Sequence, residues 1–280
     1  MATAIFYERN PGYLNRLAKA LEEELGSVET VRLSSLTMFT ERCSTIVLKK
    51  NGEQGKFNSV FLLAGQKNSE FIEPLLDFFD VSGTYCQCRP NSYYQYANEP
   101  YSHSLLSSIN FPLPETVFSS SLKSLKGKEG EFSYPLLLKL YINGRAVHKF
   151  LVETPRSLKW ILKSRKTHYD MIEVREFFES DLLHCASING KVYCARRRLK
   201  DGEFVPLDKG KYVKLSGKEN ETVELALKAS GLDAGTVKLC GGKILRVKPD
   251  INFLGFNKVT GENLFSELAK LYRQKEGHHG

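Results

Sequence analysis

The stretch "LRVKPDINFLGFNKVTGENLFSELAKL", from Leu245 to Leu271, decides the fold. Its first residues alternate: Leu245 and Val247 are apolar, Arg246 and Lys248 are basic. Side chains two apart on a strand point the same way, so Arg246 and Lys248 share a face. "PDINFLG" reads as a loop, and "ENLFSELAKLYRQK" as a closing helix. Just upstream, "TVKLCGGKILRV" reads as a hairpin turning at Gly241-Gly242.

The pattern continues outward. "TAIFY" (Thr3–Tyr7) is a short strand, broken by "ERNPG". Leu14, Leu17, Ala18, Leu21 and Leu25 then recur at helical spacing, and Gly26 closes that helix. "VETVRL" returns as a strand, "CSTIVLKKNGEQGKFNSVFLLAG" reads as strand, turn, strand, and "SEFIEPLLDFFDVSG" as a helix containing Pro74. "TYCQC" is a short strand. Such alternation predicts an α/β lobe with a parallel sheet over roughly the first hundred residues. Further on, "YPLLLKLYINGRAVHKFLVE" is two strands around a glycine-bearing turn, and "PRSLKWILKSR" a short helix with Trp160 packed on its face. "MIEVREFF" is a strand, "LLHCASINGKVYCARRRL" a hairpin turning at Asn189-Gly190, and "ETVELALKASGL" a helix. This second part is strand-rich and antiparallel. "SSSLKSLKGKEGE" reads as a mobile loop.

Composition narrows the function classes. The 280 residues are 41% hydrophobic and 26% charged, an ordinary globular balance. No long uncharged apolar run is present, so no transmembrane helix and no membrane partner are expected. "MATAIFYERNPG" lacks the basic start and apolar core of a signal peptide, and a cytoplasmic protein is expected. Six cysteines, Cys43, Cys86, Cys88, Cys185, Cys194 and Cys240, are scattered and not packed like a secreted disulfide scaffold. The "CQC" pair has no partner Cys/His pair at finger-like spacing and reads as buried strand cysteines. His148 and His184 read as ordinary histidines. A net charge of +8 permits a phosphate-bearing partner without requiring one. Nucleic-acid binding rests on that charge alone and is not expected.

Several stretches, in this order, resemble the RimK-like carboxylate–amine ligases of the ATP-grasp superfamily. "LLSSINFPLPET" looks like that family's helix followed by a Pro-x-Thr segment. "YPLLLKL" looks like its strand ending on a nucleotide-contacting lysine, which would be Lys139. "IEVREFF" is similar to the strand that would put Glu176 near adenine and ribose. "RRRLKDGEF" resembles the stretch holding a triphosphate-contacting arginine, Arg197 or its neighbours Arg196 and Arg198. "FNKVTGENLFSELAKL" resembles the closing Thr-Gly motif and helix. The resemblance covers most of the chain and implies an α/β fold. A small N-terminal α/β lobe would span residues 1–97 and an ATP-grasp-like domain residues 98–280. That domain would comprise two α+β lobes, 98–178 and 179–280, around a cleft. ATP with magnesium is the cofactor the resemblance implies.

The family's chemistry implies two lysines and a glycine-rich loop around the triphosphate, with carboxylates and an Asn on magnesium. The metal neutralises charge as a carboxylate attacks the γ-phosphorus. This sequence departs from that pattern at most of these places. The first lysine falls on Asn98-Glu99, and an acid repels phosphate. Lys139 is kept. The loop after it is "INGRAVHKF", with Gly144 alone to let backbone amides approach a phosphate. Aligned with the family's motif without a gap, which keeps the Gly241-Gly242 hairpin symmetric, the resemblance implies Val237 at the aspartate's place, Arg246 at the glutamate's and Lys248 at the asparagine's. Magnesium wants oxygen ligands, whereas Arg and Lys only donate hydrogen bonds. Asp250-Ile251-Asn252 repeats the acid-x-Asn spacing four residues later. With a shortened loop, Asp250 and Asn252 become the metal ligands.

The expectation is an ATP-grasp-like protein with a degraded nucleotide and magnesium site, a non-catalytic or weakly active relative that binds or scaffolds. Arg246 and Lys248 stand in for the metal. With Lys139, Glu176 and Arg197 they would hold a nucleotide or other anionic ligand. A protein partner fits the scaffolding role. The alternative is an active ATP-dependent carboxylate–amine ligase using Asp250 and Asn252.

Overall fold

A computed structural model describes residues 2–41, 44–65, 69–165, 167–200 and 202–276. Cys43 and the terminal His278-His279-Gly280 lie outside the described residues. The chain opens with β1 (Ala2–Tyr7), α1 (Leu14–Leu25), β2 (Val28–Arg32), β3 (Thr37–Glu41), β4 (Ser44–Leu48), β5 (Phe57–Leu63), α2 (Ser69–Val81) and β6 (Tyr85–Cys86). Strands β2-β1-β5-β6 make the expected parallel sheet. The strands expected on either side of the "KKNGEQGK" turn both form, but they do not pair with each other. β4 closes an antiparallel hairpin with β3, a strand not expected from the sequence, while β5 runs beside β1.

Two short helices, α3 (Pro90–Ala97) and α4 (Glu99–Ser108), connect to the next sheet. Each has Pro in its first turn, where the missing N–H costs nothing. Asn98 ends α3 and caps α4 by accepting from the Tyr101 N–H. That corner points Glu99, the first residue of α4, at the second sheet.

The second sheet is antiparallel, in the order β7-β10-β8-β9, with β7 (Thr116–Ser119), β8 (Leu136–Ile142), β9 (Arg145–Val152) and β10 (Met171–Glu176). Helix α5 (Pro155–Ser164) covers one face. Leu158, Ile161 and Leu162 pack there on Leu138, Leu140, Val152, Ile172 and Val174. Strand alternation therefore turns Lys139, Tyr141, Glu173 and Arg175 to the other face. Trp160 does not pack: it stands 69% exposed on the outer side of α5. The "SSSLKSLKGKEGE" segment is not a free loop either. It forms two 3-10 turns, buries Leu125 under α5, and receives the Tyr134 hydroxyl at the Glu129 carbonyl, 2.6 Å away.

The last part holds β11 (Leu182–Ile188), β12 (Lys191–Arg197), the small hairpin β13 (Leu199–Lys200) and β14 (Glu203–Phe204), β15 (Lys211–Val213), α6 (Gly217–Ala229), β16 (Ala234–Cys240) and β17 (Lys243–Lys248). The main sheet runs β15-β12-β11-β16-β17, all antiparallel. Helices α7 (Phe253–Thr260) and α8 (Leu264–Glu276) close the chain. The sequence predicts a loop where α7 stands. Asn252 starts that helix as its N-cap, accepting from the Gly255 N–H, and Gly261 ends it in the left-handed conformation.

The hydrophobic core does not follow chain order. One face of the parallel sheet, with Ala4, Phe6, Val60 and Leu62, joins α2, α6 and the inner face of the last sheet. Its other face, with Ile5 and Phe61, joins α1, α7 and α8. The Tyr272 hydroxyl at the C-terminal end donates to the Val60 carbonyl at 2.8 Å. The first and last parts of the chain are thus welded together, and the β7–β10 sheet keeps a separate core. Among the described residues no helix is long and apolar enough to cross a membrane.

Candidate ligand cleft

The free face of the β7–β10 sheet carries charge in a place the core would normally claim. Lys139 on β8 lies directly opposite Glu173 on β10, and its ammonium donates to both carboxylate oxygens at 2.8 and 3.0 Å. Glu173 is fully buried. It also accepts from the Tyr141 hydroxyl at 2.6 Å and pairs with the Arg175 guanidinium at 2.6 Å. A buried carboxylate is tolerable when it is met by this many donors.

Glu99 reaches the same cluster from α4. Its carboxylate pairs with Arg175 and lies 3.8 Å from Lys139 and 3.7 Å from Arg246. Burial alone would raise this carboxyl; Lys139, Arg246 and Arg175 outweigh it and hold it down at about 2. Glu99 is therefore an anion seated among three cations from β8, β10 and β17. The acid at the place where the resemblance implies a lysine thus lies among cations.

The last sheet lines the opposite wall. Arg246 and Lys248 do share a face, and both stand over the Tyr96 ring, 5.9 and 5.7 Å from its centre. Their cross-strand register differs from that of a symmetric hairpin. A symmetric turn at Gly241-Gly242 would set Val237 opposite Arg246. A bulge in β17 shifts the register, so Lys238 pairs with Arg246 and Val237 with Val247. Val237 is buried in the core on the far side. On this face of the sheet the row reads Lys238, Arg246, Lys248. Burial lowers Lys238 to about 8, helped by the like charges of Lys248 and Arg197. Burial likewise lowers Lys248. His184, directly opposite Lys238, is pushed down to about 3 by burial and then by Lys238 and Arg197, so its ring is neutral.

Between the walls lies a cavity of about 530 Å³. Glu99, Lys139, Tyr141, Arg145, Lys149 and Arg246 are among its lining residues. Its rim is the β8–β9 turn. Asn143 and Gly144 take φ 50° and 69°, the two-residue hairpin geometry, and β9 begins at once with Arg145. No glycine-rich flap exists between these strands.

Lys139 and Arg246 are brought together in this cleft, with Lys248 beside them. Glu176 sits farther along β10, where it accepts from Lys243 at 2.7 Å and from the Glu115 N–H at 3.0 Å. Burial would raise its carboxyl, but these two contacts lower it. Arg197 braces the β13–β14 hairpin, donating to the Val205 and Phe204 carbonyls at 2.6 and 3.2 Å. Asn252 uses its side-chain oxygen to cap α7. The Asp250 carboxylate lies 4.0 Å from the Lys248 ammonium. This donor set does not fit magnesium: the strand positions offer ammonium and guanidinium, and the two nearby acids, Glu99 and Asp250, already face cations. Among the described residues no group of three or more His, Cys, Asp or Glu stands together to hold a metal. Glu173, Arg175, Tyr141 and Lys238 were not foreseen. The signal for the first two was an acid and a base alternating along the otherwise apolar "MIEVREFF".

Two α+β lobes facing each other across a charged cleft, behind a small parallel α/β lobe, define the ATP-grasp architecture. The model of the RimK-like ATP-grasp domain matches residues 97–273, more than half of the chain, and the protein belongs to that family. Solved structures agree in fold. The ATP-grasp ligase PsnB, complexed with a phosphomimetic precursor variant, Mg and ADP, is similar with a TM-score of 0.74 and 13% identity, 98% of each chain being covered. A RimK domain protein from Sphaerobacter thermophilus gives 0.69 and 15%, covering 97% of this chain and 99% of that one. The VanG D-Ala:D-Ser ligase of Enterococcus faecalis gives 0.69 and 16%, covering 98% and 99%. Among curated proteins no significant match is found.

Proposed function

We propose that this protein is a non-catalytic ATP-grasp relative whose cleft binds a phosphate-bearing anion without magnesium. The observation that carries the reading is the row of Lys238, Arg246 and Lys248 on one face of β16 and β17, from which Arg246 reaches the cavity. Three cations there do electrostatically what a divalent ion does in an active relative, through charge-assisted hydrogen bonds to oxygen. They supply no metal to bridge phosphates in a transition state, so binding does not lead to turnover. The missing glycine flap and the internal anion Glu99 support the same conclusion. PsnB is described with ADP and a precursor, and by that likeness a nucleotide is the favoured ligand and a peptide or protein the scaffolded partner.

Thermal-shift and calorimetric titration with ATP, in magnesium and in EDTA, test the proposal. Equal binding in both buffers is expected, with no ADP formed and affinity lost by at least tenfold in Lys248→Glu. Magnesium-dependent binding abolished by Asp250→Ala, with ADP released, would instead establish the active ligase.

A further inference from the structure

The β11–β12 hairpin carries two cysteines that the cleft does not use. Its turn residues, Asn189 and Gly190, sit at φ 51° and 77°, the geometry of a two-residue type I′ turn. Ile188 and Lys191 are then the closing, hydrogen-bonded pair, and pair type alternates back from them along an unbroken register. Ser187–Val192 is a non-hydrogen-bonded pair, Ala186–Tyr193 a bonded one, and Cys185–Cys194 again non-bonded. In such a pair the Cα atoms stand about 4.5 Å apart with both side chains on one face, inside the range a disulfide spans. The two sulfurs are in fact 2.9 Å apart. Both residues are buried in the core beside Val237, Leu239 and the α6 residues Val223 and Leu227.

We propose that Cys185 and Cys194 are a redox modification site that closes into a cross-strand disulfide on reaction with a low-molecular-weight disulfide. One thiolate attacks the small disulfide and expels a small thiol. The second attacks the resulting mixed disulfide and expels another. The hairpin gains one S–S bond and loses two thiol protons, and the small disulfide is reduced to two thiols. The hydrogen bond to Cys194 and burial both raise the Cys185 thiol well above its usual value. Exchange is therefore slow in the folded chain and fast from the unfolded one. The closed bond ties together two strands of the sheet that bears the basic row on its other face.

The test uses the full chain, refolded from denaturant with oxidised or with reduced glutathione, then alkylated in denaturant and weighed. Oxidised wild type is expected to carry two fewer alkyl groups than the reduced sample, with the Cys185 and Cys194 peptides linked and unalkylated. Its thermal midpoint should rise by roughly 5 °C. Cys185→Ser and Cys194→Ser lack both changes, and the Cys86→Ser/Cys88→Ser double variant keeps both. Full alkylation of Cys185 and Cys194 in the oxidised sample overturns the proposal. So does a stable glutathione adduct on either, or a linkage between other cysteines.

Discussion

Two sheets face each other across the cleft, and both put cations where a strand would ordinarily put apolar side chains. On β8 and β10 the charges are answered on the spot: Lys139 and Arg175 share Glu173, and Glu99 completes the cluster. On β16 and β17 they are answered more weakly. Arg246 has only the edge of Glu99 at 3.7 Å, Lys248 has Asp250 at 4.0 Å, and Lys238 makes no ion pair among the described residues. A closely paired buried charge is structural, because its desolvation is already offset; a cluster of one sign with only long-range partners can take another. The first wall's cluster therefore holds the lobes, and on the proposed reading the cations of the second are the ones a ligand would recruit.

The largest effect should come from breaking the first wall. Glu173→Ala strips the shared carboxylate from Lys139, Arg175 and Tyr141 and leaves two buried cations with Glu99 alone. A loss of about 3–5 kcal/mol is expected, read by urea unfolding, as when one partner of a buried pair is removed. The matching change on the second wall, Lys238→Met, should cost nothing or stabilise. An equal loss in both would erase the distinction between the walls.

Glu99→Gln is the next largest. It keeps the shape of the side chain and removes the internal anion, at a cost of about 1–3 kcal/mol. It also frees Arg246, and ATP affinity in EDTA should rise. The pH dependence follows from the same group. Its folded carboxyl is held at about 2, below the ordinary 4.5. Its stabilisation is thus complete above pH 4.5 and lost as pH falls toward 2. In Glu99→Gln that part of the acid limb should flatten. Unchanged acid unfolding would remove Glu99 from the list of groups that hold the lobes.

Much of the fold was legible because period and turn chemistry are local. The helical spacing of α1, the Asn189-Gly190 hairpin and the strand alternation around Lys139 each needed only their own residues. The site was less legible because it depends on register and on pairing at long range. A single bulge in β17 sets Lys238 opposite Arg246, where a symmetric hairpin would set Val237. Glu99 meets Lys139, Arg175 and Arg246 from three strands far off in sequence. Helix α7 was missed because "DINFLG" shows turn residues first, and its Asn proves to be a cap.

A smaller effect sharpens the second wall. Lys238 is held at about 8 against an ordinary 10.5, so near pH 8 a sizeable fraction is neutral. An anion bound beside it favours the charged form and raises that value. Binding at pH 8 should therefore take up protons, whereas binding at pH 6, where Lys238 is already charged, should not. Calorimetry in two buffers of different ionisation enthalpy reads the uptake directly. It should vanish in Lys238→Met. Uptake that persists in that variant would place the ligand elsewhere in the cleft.

The smallest effect separates the two roles open to Asn252. As an N-cap its side-chain oxygen satisfies the Gly255 N–H, and α7 carries Phe253 and Phe256 into the core it shares with α1. Asn252→Ala should then cost about 1 kcal/mol, Asn252→Ser or Asn252→Asp far less, since those residues also cap. ATP binding should be unchanged in all three, with or without magnesium. A metal ligand behaves differently. Asp is a good oxygen donor and Ala none, so affinity in magnesium would follow the oxygen while affinity in EDTA did not. Ser keeps the cap but is a poor substitute for a carboxylate or amide on magnesium. The order Asp, Ser, Ala in stability with flat binding makes Asn252 part of the scaffold. The same order appearing in magnesium-dependent affinity would move it to the open wall as a ligand and bring Asp250 with it.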